Sequence, residues 1–198
     1  MVGGGSVAAR KVAALQESGA RVTVVSPKLI HELLEKAQAG LIEHIARDYQ
    51  PGDLQKASLV IAATDDLRVN QAVAREACSL GKLVNVVDDP QHSNFIFPAV
   101  VRRGEMIIAI TTGGASPAFA GHLRRQLERQ IGPEYADLIA LLGEIRPELI
   151  ARYPDPHRRS QATLALLDAG LLELIRAKGL EAALQNARNW IAKEQATL

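Results

Sequence analysis

A chain of 198 residues has room for one full domain and an extension, and its 47% apolar content is ordinary for a globular core. A net charge of +1 gives no global attraction for nucleic acid or a membrane surface, no apolar run reaches the roughly 18 residues of a membrane span, and no basic stretch leads into an apolar one as in a secretory leader. Cys78 stands alone, which excludes an internal disulfide and fits a reducing compartment, so the cytoplasm is the expected setting, with neither nucleic acid nor membrane as partner.

The chain opens on Met1-Val2-Gly3-Gly4-Gly5-Ser6-Val7-Ala8, a G-x-G-x-x-A pattern on Gly3, Gly5 and Ala8. Small residues there let a strand turn sharply into a helix and bring backbone close to a pyrophosphate, while the helix start offers unpaired N–H groups. Glycine triplets also occur in plain turns, so the elements after the turn have to decide. Val2 is a strand stub, and residues 8–18 form a helix stopped by Gly19. Residues 21–26, β-branched and short, form a strand; Pro27 starts a helix over 29–39, stopped by Gly40. A weaker strand spans 41–46, and a near-continuous apolar strand spans 59–63, as in a sheet covered on both faces. Asp65 or Asp66 caps the next helix, which runs to about residue 80, and 83–87 is a further strand. Strand and helix alternate with short loops, which predicts an open parallel α/β sheet, Rossmann-type, with ligand beyond the carboxyl ends of its strands. Those ends are Gly3 to Val7, Ser26 to Lys28, Ala63 to Asp66, and the stretch from Val87 to Pro90. In this context the opening glycines read as a dinucleotide turn. The acidic residue that usually takes the ribose hydroxyls is missing; Ser26, Pro27 and Lys28 stand in its place. A serine can hold a ribose and a lysine can attract a 2′-phosphate, so the residues alone leave NAD and NADP open. Lys28 is equally a solvated lysine in the first turn of a helix.

Beyond this strand lies Asp88-Asp89-Pro90-Gln91-His92. Two carboxylates at a strand end suit proton transfer, Asp88 being deeper, while Asp89 before a proline shapes a turn. His92 is a second acid–base candidate or an exposed loop histidine. Strands over 97–102 and 106–111 form a hairpin, and Thr112-Gly113-Gly114-Ala115-Ser116-Pro117 opens a helix over 118–130, a second glycine turn where an anion can bind. Ser116 is a natural N-cap there. His122, Arg124, Arg125 and Arg129 make a solvated face or an anionic-substrate surface. The remainder is helical by composition: 136–150, which Pro147 kinks or ends, a break at 153–156, then helices over 158–169, 171–178 and 180–192, with Trp190 as a packing residue.

Four runs together, VGGGSVAARKVAALQESGARVTVVSP, IAATDDLRVNQAV, NVVDDPQHSNFIFPAVVRRG and TTGGASPAFAGHLRRQLE, resemble the siroheme-synthase amino-terminal module, a family of precorrin-2 dehydrogenases and bifunctional dehydrogenase/ferrochelatases. The resemblance covers residues 1–131 strongly and the tail more loosely. It implies NAD-dependent oxidation of precorrin-2 to sirohydrochlorin and a homodimer. It also implies three parts: a Rossmann domain over 1–97, a small α+β dimerisation segment over 98–131 and a helical domain over 132–198. The family's essential aspartate falls on Asp88. Its cofactor contacts fall on Ser6, Val7, Pro27 and Lys28, beside Gly3, Gly5, Ser26, Ala63, Thr64 and Asp65 of the same edge. Thr112, with Gly113, Gly114, Ser116 and His92, is expected at the tetrapyrrole substrate, Thr112 standing where a serine is frequent. Ferrous iron is expected as a further substrate if the chelatase step is present, with Asp88 taking the pyrrole protons. No protein metal site is expected, because the five histidines lack ligand spacing. The substrate carries many carboxylates, for which Arg102, Arg103, Arg124 and Arg125 are candidates.

Family members carry further residues before this glycine turn. A central strand normally has ~5 residues, so a chain extended at its beginning is expected to be more stable and to bind dinucleotide more tightly. The rival class is a dinucleotide-sensing regulatory module without chemistry, against which the second glycine turn and the strand-end aspartate argue.

Overall fold

The computed structural model describes residues 1–193 and divides into two units, Met1–Phe97 and the residues from Pro98 onward. The last five residues of the tail expected to be helical, 194–198, lie outside the described residues.

In the first unit, helices α1 (Ser6–Glu17), α2 (His31–Gln38) and α3 (Leu67–Ser79) alternate with strands β1 (Thr23–Val25), β2 (Glu43–Ile45), β3 (Leu59–Ala62) and β4 (Leu83–Val86). β1 pairs with β2 and β3 with β4, all parallel. The two pairs are joined by Val2, which bridges Val25 on one side and Ala62 on the other. Its amide donates to the Ile61 carbonyl at 2.8 Å, and its carbonyl accepts from the Ala63 amide at 2.8 Å. The order is therefore β2, β1, Val2, β3, β4. The chain leaves Val2 at the point where successive strands begin to be laid down on the opposite side, and a crevice opens at such a point. Val2, Val60, Ala62, Val73, Val84 and Val86 fill one core. Ala8, Val12, Val24 and Leu33 fill another.

Two local expectations give way here. Pro27 does not start a helix: α2 begins at His31 with Ile30 as its N-cap, so Pro27 and Lys28 sit in the preceding loop. The reason is the backbone between them and the helix: Ile30 donates to the Gly4 carbonyl and the Lys28 carbonyl accepts from Ser26, which holds the loop extended against the glycine turn. Phe97 does not open the hairpin either; its first strand starts at Ala99.

In the second unit, β5 (Ala99–Arg103) and β6 (Met106–Ile110) form an antiparallel hairpin in which Arg103 faces Met106. A turn of two residues closes it, with Gly104 at φ +55°. Helix α4 (Pro117–Gln130) packs on β5, whose Val101 is buried. Helices α5 (Glu134–Arg152), α6 (Pro156–Asp168), α7 (Leu171–Lys178) and α8 (Leu180–Lys193) form a bundle around Leu141, Ile145, Leu149, Leu166, Leu171 and Ala187, with Trp190 packed on it. Pro147 does not end α5. Pro147 and Gly143, the residue whose carbonyl its ring crowds, both face solvent, while Ile145 and Leu149 are buried. Water can take the freed carbonyl, and the buried side chains on the other face hold the helix through the break.

Candidate functional site

The carboxyl edge of the first sheet gathers the glycine turn, the loop after β1, the loop after β3 and the loop after β4. The three glycines do different jobs. Gly3 sits at φ +110°, and a β-carbon there would overlap the Ala63 carbonyl, 2.7 Å from its carbon. A β-carbon on Gly4 would overlap the Lys28 carbonyl and stand 2.8 Å from the Ser26 hydroxyl. Gly5 is different: nothing lies within 4 Å of the place its β-carbon would take. Gly5 is the N-cap of α1, no side chain caps that helix, and its first turn carries no acidic residue. Ser6 and Val7 are its first two residues, and Ala8 is buried against the sheet. The open side of Gly5 and the uncapped N–H groups fit a pyrophosphate: there is space for it, donors for it and no acidic side chain in the helix's first turn.

The other loops form the rest of this edge. Buried Ser26 donates its hydroxyl to the Lys28 carbonyl at 2.7 Å, and its own carbonyl pairs with His44 Nε2 at 2.9 Å. Pro27 and Lys28 are exposed. After β3, Asn70 was absent from the sequence candidates yet organises the loop. It is buried; its Oδ1 accepts from the Thr64 hydroxyl at 2.8 Å and the Thr64 amide at 3.2 Å, and its Nδ2 donates to the Thr64 carbonyl at 2.9 Å. Asp66, not Asp65, caps α3, accepting from the Arg68 amide at 2.7 Å, which leaves Asp65 exposed on the edge.

After β4 the two aspartates separate in role, and the expected order of depth is reversed: Asp88, at the tip of the turn, is exposed, while Asp89, turned in to cap the next residues, is partly buried. Asp89 caps the short helical turn Pro90–His92, accepting from the His92 amide, and its Oδ2 lies 2.7 Å from His92 Nδ1. Ser93 closes the loop: its hydroxyl donates to the Asp89 carbonyl at 2.8 Å and accepts from the Val86 amide at 2.9 Å. Asp88 stands at the apex with φ +58°, the only non-glycine residue in the left-handed region among those described. That conformation closes a turn, the Asp89 amide donating to the Val86 carbonyl at 3.2 Å, and aspartate is one of the few non-glycine residues that tolerate it.

Thr112, Gly113, Gly114 and Ser116 belong to the second unit. The Thr112 hydroxyl accepts from the Ser116 amide at 3.0 Å, and Ser116 caps α4 through the Phe119 amide at 3.3 Å. Gly113 and Gly114 have φ +63° and +87°. Of the arginine candidates, Arg103 is spent on the last carbonyls of α4, Ile131 and Glu128, and Arg124 pairs with Glu128. Arg102 and Arg125 are exposed or partly so, with no carboxylate within ion-pair distance among the described residues.

A parallel α/β sheet with a glycine turn at its switch point, uncapped helix and open cradle defines an NAD(P)-binding domain. Comparison with known proteins gives the same class: residues 1–99 match the family of NAD(P)-binding domains, and residues 103–130 match the central segment of sirohaem biosynthesis proteins. Siroheme synthase of Nitrosospira multiformis is 40% identical over 198 residues, covering 98% of this chain and 41% of its own length. Siroheme synthase 1 of Aeromonas salmonicida is 37% identical over 195 residues, covering 98% and 42%. The chain thus spans about two fifths of the length of these curated relatives. A solved precorrin-2 dehydrogenase, SirC, superposes with a TM-score of 0.71 at 27% identity, covering 97% of this chain and 92% of its own. The chain belongs to the siroheme-synthase amino-terminal module family.

Proposed function

We propose that this chain is an NAD-dependent precorrin-2 dehydrogenase, oxidising precorrin-2 to sirohydrochlorin in siroheme biosynthesis. The observation that carries the reading is Asp88: a carboxylate in left-handed backbone, at the same strand-end edge as an open, uncapped glycine turn. A regulatory dinucleotide sensor has no use for an exposed carboxylate that caps nothing in that place. The names of the relatives and of the solved neighbour agree with the reading.

When bound, the nicotinamide supplies the hydride acceptor. Gly3 and Gly4 shape the turn; Gly5, Ser6 and Val7 receive the pyrophosphate. Ser26, Pro27 and Lys28 border the adenosine ribose, and Ala63, Thr64 and Asp65 flank the middle of the dinucleotide. Asp88 takes a proton that the substrate releases as its hydride departs. In the second unit, Thr112, Gly113, Gly114 and Ser116 form an anion-binding turn for the carboxylates of a tetrapyrrole; His92, paired with Asp89, serves the same substrate. The likeness to the siroheme-synthase module favours NAD over NADP; Lys28, in the loop after β1, is the residue that would meet a 2′-phosphate, and titration with NAD⁺ and NADP⁺ decides between them. Iron insertion into sirohydrochlorin, with Fe²⁺ as substrate, uses the same Asp88 as acceptor of pyrrole protons. No helix among the described residues is long and apolar enough to cross a membrane, and with a lone cysteine we place the protein in the cytoplasm.

The second unit also supports a homodimer. Among the described residues the β5–β6 hairpin pairs with no third strand, and Ile107 and Phe119 are 52% and 56% exposed. A two-stranded hairpin is marginal alone, and a second copy would cover it. Light scattering is expected to give a dimer mass, and Ile107→Lys a monomer.

The deciding experiment is anaerobic incubation with precorrin-2 and NAD⁺, following the tetrapyrrole spectrum and NADH together. Equal appearance of NADH and sirohydrochlorin is expected, lost in Asp88→Asn while NAD⁺ still binds. No spectral change with NAD⁺ or NADP⁺ would overturn the activity; an active Asp88→Asn would overturn the carboxylate's role. Fe²⁺ added to sirohydrochlorin with and without protein tests the iron step.

A further inference from the structure

Lys11 lies in the second turn of α1, on the same helix row as Val7, and is half-buried. Side chains on a helix lean toward its N-terminus, so Lys11 leads back toward the glycine turn. Its ammonium stands 3.9 Å from the centroid of the Phe97 ring. Phe97 in turn meets Phe95 edge to face, centroids 5.1 Å apart. The Phe95 segment is laced onto β4: the Asn94 and Phe95 amides both donate to the Val84 carbonyl, and Asn85 Nδ2 donates to the Phe95 carbonyl. The same segment begins at Ser93, which closes the Asp88 loop through Val86 and Asp89. A continuous chain of contacts thus runs from the helix that begins at the glycine turn to the loop that carries Asp88. Burial pushes the Lys11 ammonium below its ordinary value and Arg10 adds to this, while attraction from Asp88 opposes both.

We propose that Lys11 is a positioning residue for the reaction: seated on Phe97, it ties α1 to the segment that closes the Asp88 loop and so fixes where the Asp88 carboxylate stands relative to the glycine turn. This rests on the dehydrogenase reading above. An ammonium suits the task because it is held by the ring face without a carboxylate partner that would compete with Asp88. Arginine keeps both the charge and the stacking; methionine keeps only the length.

The test uses Lys11→Met, Lys11→Arg, Phe97→Leu and the Lys11→Met/Phe97→Leu double variant in the full chain. Misplacing a catalytic group by a fraction of an ångström to an ångström costs about 10- to 100-fold. Lys11→Met is therefore expected to lower kcat by at least tenfold with KM for NAD⁺ nearly unchanged. Lys11→Arg is expected to restore most of the loss, and the double variant to be no worse than the worse single. Amide hydrogen exchange over residues 87–95 is expected to quicken in Lys11→Met while β3 keeps its parental rate. Parental kcat in Lys11→Met, failure of arginine to rescue, or additive losses would overturn the proposal. If the parent itself shows no dehydrogenase activity, the earlier reading falls, and unchanged exchange over 87–95 would separately overturn the tie between Lys11 and the Asp88 loop.

Discussion

Alanine placed at each of the three opening glycines should separate folding from dinucleotide binding. At Gly3, alanine must adopt φ +110° and overlap the Ala63 carbonyl. The backbone penalty is about 1–3 kcal/mol and the overlap about 1–3 kcal/mol more, so roughly 2–6 kcal/mol in all. In a unit of about 100 residues each kcal/mol is worth about 4–8 °C, so the first unit should melt at least ~8 °C lower. At Gly4 the overlap with the Lys28 carbonyl acts without a positive φ, so the loss should be about half. Gly5 has φ −87° and ψ −172°, a conformation alanine accepts, and open space around it. There the entropy gained by restricting the unfolded chain, about 0.4–1 kcal/mol, offsets the loss of a glycine N-cap of similar size. The melting temperature of Gly5→Ala should therefore stay within about 4 °C of the parent. Its methyl, however, projects where backbone must approach the pyrophosphate, and NAD⁺ affinity should fall at least tenfold, about 1.4 kcal/mol. Differential scanning calorimetry and isothermal titration of NAD⁺ read the two effects separately. Parental NAD⁺ affinity in Gly5→Ala, or a parental melting temperature in Gly3→Ala, would refute the division of labour.

Other contacts carry further expected outcomes. Asn70→Ala strips three partners from Thr64 and should cost about 2–4 kcal/mol in the first unit and weaken NAD⁺ binding, read by the same two methods. The Arg47 guanidinium, at 2.8 and 2.6 Å, holds the Asp53 carboxyl below its ordinary value. The stability this brings is complete above the unfolded value of about 3.9 and is lost as pH falls through the lower folded one. Asp53→Asn should therefore lower stability at neutral pH and flatten its fall below about pH 4, checked by urea unfolding across pH; an unchanged acid limb would contradict this. Pro147→Ala restores one amide to α5 and should raise the melting temperature of the helical unit, by up to about 3 kcal/mol of helix preference; a lower melting temperature would show that the proline is shaping the bundle.

Much of the fold was legible because it is written locally. Apolar runs such as residues 59–63, glycines after helices and the Asp66 cap are each set by a few neighbours in sequence. What local rules missed was decided at a distance. Pro27 has the sequence look of a helix start, but the loop it stands in is held extended by Gly4. Pro147 has the look of a helix end, but Leu141, Ile145 and Leu149 are buried on the opposite side, and burial of such side chains, about 1.5–3 kcal/mol each, outweighs one missing hydrogen bond.

The site divides in the same way. That a glycine turn and strand-end residues share one edge follows from strand order, and strand order follows from alternation. Which polar group is left over for chemistry does not. Asp88 and Asp89 are the same residue type side by side, and proline after Asp89 already marks it as a cap with Pro90 at the first position of the turn. Once Asp89 is spent on His92, and Ser93 on the loop, Asp88 is the carboxylate left at the apex; its left-handed backbone closes the turn in which the Asp89 amide donates to the Val86 carbonyl, while its side chain caps nothing there. Lys11 and Asn70 could not be chosen in this manner. The partner of Lys11, Phe97, comes to it through the packing of α1; Asn70 reaches back only six residues to Thr64, yet a lysine or an asparagine within a helix looks in sequence like any solvated residue. Residues that hold a site in place are thus the hardest to read, since their types carry no chemical signature and only the contacts reveal the task.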